Sequence, residues 1–139
     1  MWPRPLVSSY RTGVSLQPGL TGRAFVDVEF SDSAASLGSG DVPVLGTPRV
    51  VALVEEATVA AVVDHLDEGD TTVGTRVELA HNAPTPIGRS VRAEAALTDV
   101  DGRSLTFAVT AHDGVNEIAN GVIQRVVVDR TKFLSRLND

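Results

Sequence analysis

Hydrophobic and polar positions alternate near the start of the chain. Over Ala24–Phe30, Ala24, Val26, Val28 and Phe30 fall on one side, and Asp27 and Glu29 on the other. That period predicts a half-buried strand. Ser31–Pro43 is small, polar and glycine-rich, which predicts a mobile loop. The pattern then changes. V-V-A-L-V-E-E-A-T-V-A-A-V-V (Val50–Val63) stays apolar for about four turns, longer than most strands, and predicts a helix despite its many valines. Thr47 suits the N-cap and Pro48 the first helical position. The helix should end near His65, before the turn at Asp67–Asp70. Being apolar nearly all round, it should be buried on most sides.

Alternation returns downstream. Thr72–Ala80 alternates through Val73, Thr75, Val77 and Leu79, and Ser90–Asp99 through Val91, Ala93, Ala95 and Leu97. Between them Asn82–Gly88 is a loop with two prolines. The Asp-Gly of Asp99–Arg103 signals a hairpin, and Leu105, Phe107, Val109 and Ala111 mark the strand that follows. Asp113–Glu117 reads as a turn, Ile118–Asp129 as the last strand, and Thr131–Leu137 as a short terminal helix. One domain over residues 1–139 is expected, with an irregular lead-in (1–22) and a short C-terminal segment (131–139). A strand, a long buried helix and then a meander of about four antiparallel strands give an α+β class. A sheet must curl around such a helix. This order resembles the hot-dog fold, which usually dimerises.

Composition narrows the chemistry. At 139 residues, 42% hydrophobic and 22% charged, the chain can bury a real core. Aromatics are only 4%, so Val, Ala and Leu must build that core. Without cysteine, disulfides, thiolate catalysis and Cys-based zinc sites are excluded. The three histidines lack H-x-x-H or H-E-x-x-H spacing, so no metal site is expected. A net charge of −6 disfavours nucleic acid. The N-terminus carries no long apolar run, and the stretch Val50–Ala61 is too short to span a bilayer. A cytoplasmic protein without membrane contact is the expectation.

Three reactive side chains stand in segments that otherwise read as core: Thr47, Glu55 and His81. A carboxylate inside an apolar run is costly to desolvate without a partner. Glu55 is therefore a candidate nucleophile, base or orienting group, or else an interface residue paired with an arginine. Thr47 is either a plain cap or a hydroxyl facing an oxyanion or carboxylate. His81 ends a strand, as a structural histidine or as a proton carrier. Thr47 and Glu55 lie about 12 Å apart along one helix axis, so they cannot touch directly. Arg125, alone among Val and Ile, wants an anion, structural or ligand-borne. Gly74 allows either a bulge or close approach of a ligand. His65 fits a helix C-terminus, and His112 a turn.

Several stretches together resemble the fluoroacetyl-CoA thioesterase family of hot-dog proteins. They are G-T-P-R-V-V-A-L-V-E, V-G-T-R-V-E-L-A-H-N-A-P-T-P-I-G, V-D-G-R-S-L-T-F-A-V-T-A-H-D-G-V-N-E-I-A-N-G and the R-V-V-V…K-F ending. The resemblance implies a Thr47–Glu55–His81 catalytic set, with Gly74 placing the thioester carbonyl and Arg125 as an active-site arginine. It also implies a homodimer-interface site that hydrolyses a small or medium acyl-CoA. No cofactor is implied, since CoA enters with the substrate. Arg49, Arg89 and Arg125 are candidates for the CoA phosphates. The chain departs from the family at Pro48, Arg49 and Glu56, and lacks aromatic residues in the Ser31–Asp41 loop. The machinery carries over; a fluorinated substrate does not. Two other readings are a non-catalytic acyl-CoA-binding dimer and an enoyl-CoA hydratase or dehydratase.

Overall fold

The computed structural model describes residues 16–138, so most of the expected lead-in (residues 1–15) and Asp139 lie outside the described residues. Five strands form one antiparallel sheet: β1 (Thr21–Asp27), β2 (Asp70–His81), β3 (Ser90–Asp101), β4 (Ser104–His112) and β5 (Glu117–Asp129). Helix α1 (Ala34–Leu37) is short. Helix α2 (Thr47–Val62) runs on as a 3-10 turn at Val63–His65, where the sequence places its end. Helix α3 (Arg130–Ser135) is capped by the Asp129 carboxylate, which accepts from the Lys132 amide.

The sheet curls around α2, as in the hot-dog arrangement. Val50, Leu53, Val54, Ala57, Ala61 and Val62 of the helix face Val91, Ala93, Ala95 and Leu97 of β3, with Leu105, Phe107, Val109 and Ala111 of β4 beyond. Among the described residues Phe107 is the largest fully buried side chain, in a hydrophobic core otherwise made of Val, Leu, Ile and Ala. Burying these side chains is worth roughly 1.5–3 kcal/mol for each large aliphatic or aromatic one. Gly22 lets β1 press against the helix backbone: a Cβ there would lie 2.3 Å from the Ala61 nitrogen and 2.4 Å from the Ala57 oxygen.

Four expectations need correction. The helix is not buried on most sides within one chain, because Ala52, Glu56, Val59, Ala60 and Val63 remain exposed. The strands after the helix are not a simple meander. Strand order is β1-β3-β4-β5-β2, so β2 pairs with β5 at the far edge. The loop of residues 82–89 is too long for a tight hairpin and carries the chain across the sheet. Phe30 does not join the core side of β1; it is 59% exposed in a 3-10 turn. Finally, Ser31–Pro43 is not a plain loop. Ser33 caps α1 through its hydroxyl. The Ala34 and Ala35 amides donate to the Val44 and Val42 carbonyls, and the Gly46 amide to Asp32. These bonds build a folded flap ahead of α2.

Candidate active site

The first half of the site is at the start of α2. Gly46, not Thr47, is the N-cap, and it offers no side chain; Thr47 is the first helical residue. Its hydroxyl is therefore not spent on capping and lies 2.7 Å from His81 Nδ1. These two face a cavity of about 260 Å³ lined also by Ala34, Ser39, Val44, Leu45 and Pro84. Flap residues thus form a wall of the cavity that the Thr47–His81 pair faces. His81 Nε2 is buried and unpartnered among the described residues, so Nδ1, through Thr47, is the ring's link to the cavity. Burial holds the imidazole pKa below 6.5, with a smaller opposing contribution from the Ala83 backbone. The neutral base is favoured.

The second half lies further along α2. Glu55 is half-buried and accepts from Arg125 Nη1 at 3.2 Å through Oε2. Arg125 is 7% exposed. Its Nε donates to Thr72 Oγ1 at 2.9 Å and its Nη2 to the Thr72 carbonyl at 3.1 Å. Desolvation lowers the guanidinium pKa, opposed by the charge of Glu55 and its hydrogen bond. Gly74 lies against this pair, since a Cβ there would be 2.6 Å from Glu55 Oε2. Glu55 and Arg125 line a second cavity of about 560 Å³, with Ala52, Glu56, Val59 and Ala60.

A one-residue irregularity in β2 aligns the two halves. Gly74 is opposite Arg125, and His81 is opposite Ala119, with the register shifting between Gly74 and Arg76. Arg125, Ile123, Gly121 and Ala119 are on one face of β5, so Gly74, Val77, Leu79 and His81 all share the inner face. Unbroken alternation would place Gly74 and His81 on opposite faces, because they are seven residues apart. The alternation expected through Val73 and Thr75 fails at this bulge.

Five residues singled out by sequence thus form two groups, Thr47 with His81 and Glu55 with Gly74 and Arg125. Within one chain no bond joins the groups among the described residues. Thr72 is the neighbour sequence reasoning missed; a buried threonine on a β-strand carries no signal until its partner is known. The three arginines considered for phosphates are all in protein ion pairs. Arg49 meets Asp32 at 3.0 Å and Glu56 at 3.5 Å, Arg89 meets Asp113 at 3.4 Å, and Arg125 meets Glu55. Among the described residues no cluster of three or more His, Asp or Glu is placed to hold a metal, and no helix is long and apolar enough to cross a membrane.

Known proteins share the sequence and fold of much of this chain. A fluoroacetyl-CoA thioesterase from Streptantibioticus cattleyicolor is 39% identical over 94 residues, covering 68% of each chain. The solved fluoroacetyl-CoA thioesterase FlK superposes with a TM-score of 0.82 at 31% identity, covering 89% of this chain and 96% of that one. A threonine-to-serine variant of FlK in complex with acetyl-CoA gives 0.81 at 31%, covering 88% and 97%. The sequence profile of the fluoroacetyl-CoA-specific thioesterases matches residues 28–131, and the chain belongs to that family of thioester hydrolases.

Proposed function

We propose that the protein is an acyl-CoA thioesterase whose Thr–Glu–His set is completed between two copies of the chain. The observation that carries the reading is the Thr47–His81 pair, an imidazole whose pKa burial lowers, joined to a hydroxyl beside the flap. Hydrolysis adds water across the thioester, giving a carboxylic acid and free CoA thiol. His81 takes a proton from the attacking water by way of Thr47 and returns it to the leaving thiolate; where Glu55 attacks first and expels the thiolate, that water then opens the mixed anhydride. Glu55, aimed by Arg125, acts on the acyl carbon, as nucleophile or through an oriented water. The thiolate is a good leaving group, so these residues suffice.

Two features of one chain support the dimer. Strand β2 is a sheet edge, and the open side of α2 shows Ala52, Val59, Ala60 and Val63 beside Glu55. An edge unpaired among the described residues and an adjoining apolar face suit a second copy related by a two-fold axis. That partner brings its own Glu55–Arg125 group toward the Thr47–His81 group. Because His81 bonds a threonine and not a carboxylate, the geometry favours hydrolysis over hydration of an enoyl group. The open flap cavity, without aromatic residues, favours a non-fluorinated acyl group.

The test is thiol release over a panel of acyl-CoAs, with wild type, His81→Ala and Glu55→Ala. Both variants should remain folded dimers and lose hydrolysis. Mixing the two inactive variants should restore about a quarter of the activity, since half of the dimers would then hold one intact composite site. No release by the wild type for any chain length refutes the enzyme, and acyl-CoA binding by all three proteins without turnover then favours a non-catalytic binder; undiminished hydrolysis by both variants refutes the Glu55 and His81 roles.

A further inference from the structure

Arg125 reaches Glu55 with one arm only, and the direction of that arm is set elsewhere. The guanidinium is planar, and its donors point in fixed directions. Thr72 takes both donors on one edge, Nε with its hydroxyl at 2.9 Å and Nη2 with its carbonyl at 3.1 Å. Two bonds from one residue fix the plane and leave Nη1 pointing at Glu55 Oε2. The room for this comes from Gly74, two residues further along β2, whose absent Cβ would collide with that oxygen. Thr72 is itself only 9% exposed, so water is a poor substitute for its hydroxyl.

We infer that Thr72 is a positioning residue: it clamps Arg125 so that Glu55 presents its free oxygen, Oε1, to the cavity. A valine at this position has nearly the same shape but leaves the Arg125 Nε–H buried and unpaired. The guanidinium then rotates about its remaining bonds, and Glu55 loses its fixed seat. Serine keeps the hydroxyl. The clamp itself is independent of the reaction; its kinetic consequence rests on the thioesterase reading.

The experiment uses the full chain as wild type, Thr72→Val and Thr72→Ser. Nitrogen-15 NMR follows the Arg125 Nε–H, assigned by its loss in Arg125→Lys. Wild type and Thr72→Ser should show a resolved signal that exchanges slowly with solvent, and Thr72→Val a fast-exchanging one. On the best acyl-CoA, Thr72→Val should lower kcat about tenfold or more with KM little changed, and Thr72→Ser should restore it. A folded Thr72→Val with a protected Arg125 Nε–H and wild-type kcat overturns the inference. A wild-type Arg125 Nε–H exchanging as fast as that of exposed Arg76 overturns it without any variant. Should the wild type hydrolyse no acyl-CoA, the NMR comparison still decides the clamp, and only the thioesterase reading falls.

Discussion

Gly74→Ala separates the geometry of the site from the stability of the fold. Gly74 is not among the positive-φ glycines, so alanine meets no backbone penalty there. Its Cβ would stand 2.6 Å from Glu55 Oε2 and 3.5 Å from Arg125 Nη1. Ordinary van der Waals contact begins near 3.4 Å, so the carboxylate must retreat by about 0.8 Å. A retreat of that size, directly away from the Cβ, stretches the 3.2 Å bond to Arg125 to about 3.5 Å, at the outer limit of hydrogen bonding. A reacting group displaced by about 1 Å costs roughly 10²-fold in rate. Stability changes far less. Losing a charge-assisted hydrogen bond costs about 1.5–3 kcal/mol, but replacing glycine returns about 0.4–1 kcal/mol through the unfolded chain. Glu55 can also turn toward water. A net loss of about 1 kcal/mol lowers Tm by roughly 3–5 °C. Steady-state thiol release and a thermal melt on the same preparation measure both quantities. A folded Gly74→Ala with wild-type kcat would show that the Glu55 seat does not matter to the reaction.

Three further outcomes are expected. Burial lowers the His81 pKa below 6.5, so the acid limb of kcat/KM should have its midpoint below that value. The sign for stability follows: the neutral ring's contribution is whole above 6.5 and is lost as pH falls through the lower folded value, relative to His81→Gln. Imidazole NMR titration checks the midpoint directly, and one above 6.5 contradicts the burial argument. Gly22→Ala should destabilise by about 3 kcal/mol, because the obstructing Ala61 and Ala57 atoms are helix backbone and cannot swing away; denaturant unfolding measures it. Asp32→Asn weakens the link to Arg49. Amide exchange at Ala34, Ala35 and Gly46 should quicken while Tm changes little.

Much of this molecule is legible in its residues because the relevant physics is local. Alternation over β1, β3 and β4 depends on which side of a pleat each residue takes. The helix shows itself by the length of its apolar run, and the β3–β4 hairpin by Asp-Gly, where Gly102 has a φ of 61°. Ser31–Pro43 was harder to read. Its order comes from bonds to Val42, Val44 and Gly46 that composition does not reveal. The residue pattern picked out the five candidate residues and the family resemblance implied their roles, but neither revealed the pairing of Thr47 with His81 and of Glu55 with Arg125.

The sequence by itself determined the class, the long helix, the strand-rich remainder and the presence of Thr47, Glu55, His81, Gly74 and Arg125. Only the tertiary structure decided their roles as neighbours. Which face His81 takes depends on a bulge at Thr75, and a bulge exists only relative to the strand beside it. Whether Thr47 caps its helix or meets His81 depends on where β2 ends, 34 residues later. Thr72 became visible for the same reason. A side chain's partner is chosen by packing across the sheet, and no local pattern in the chain encodes that distance.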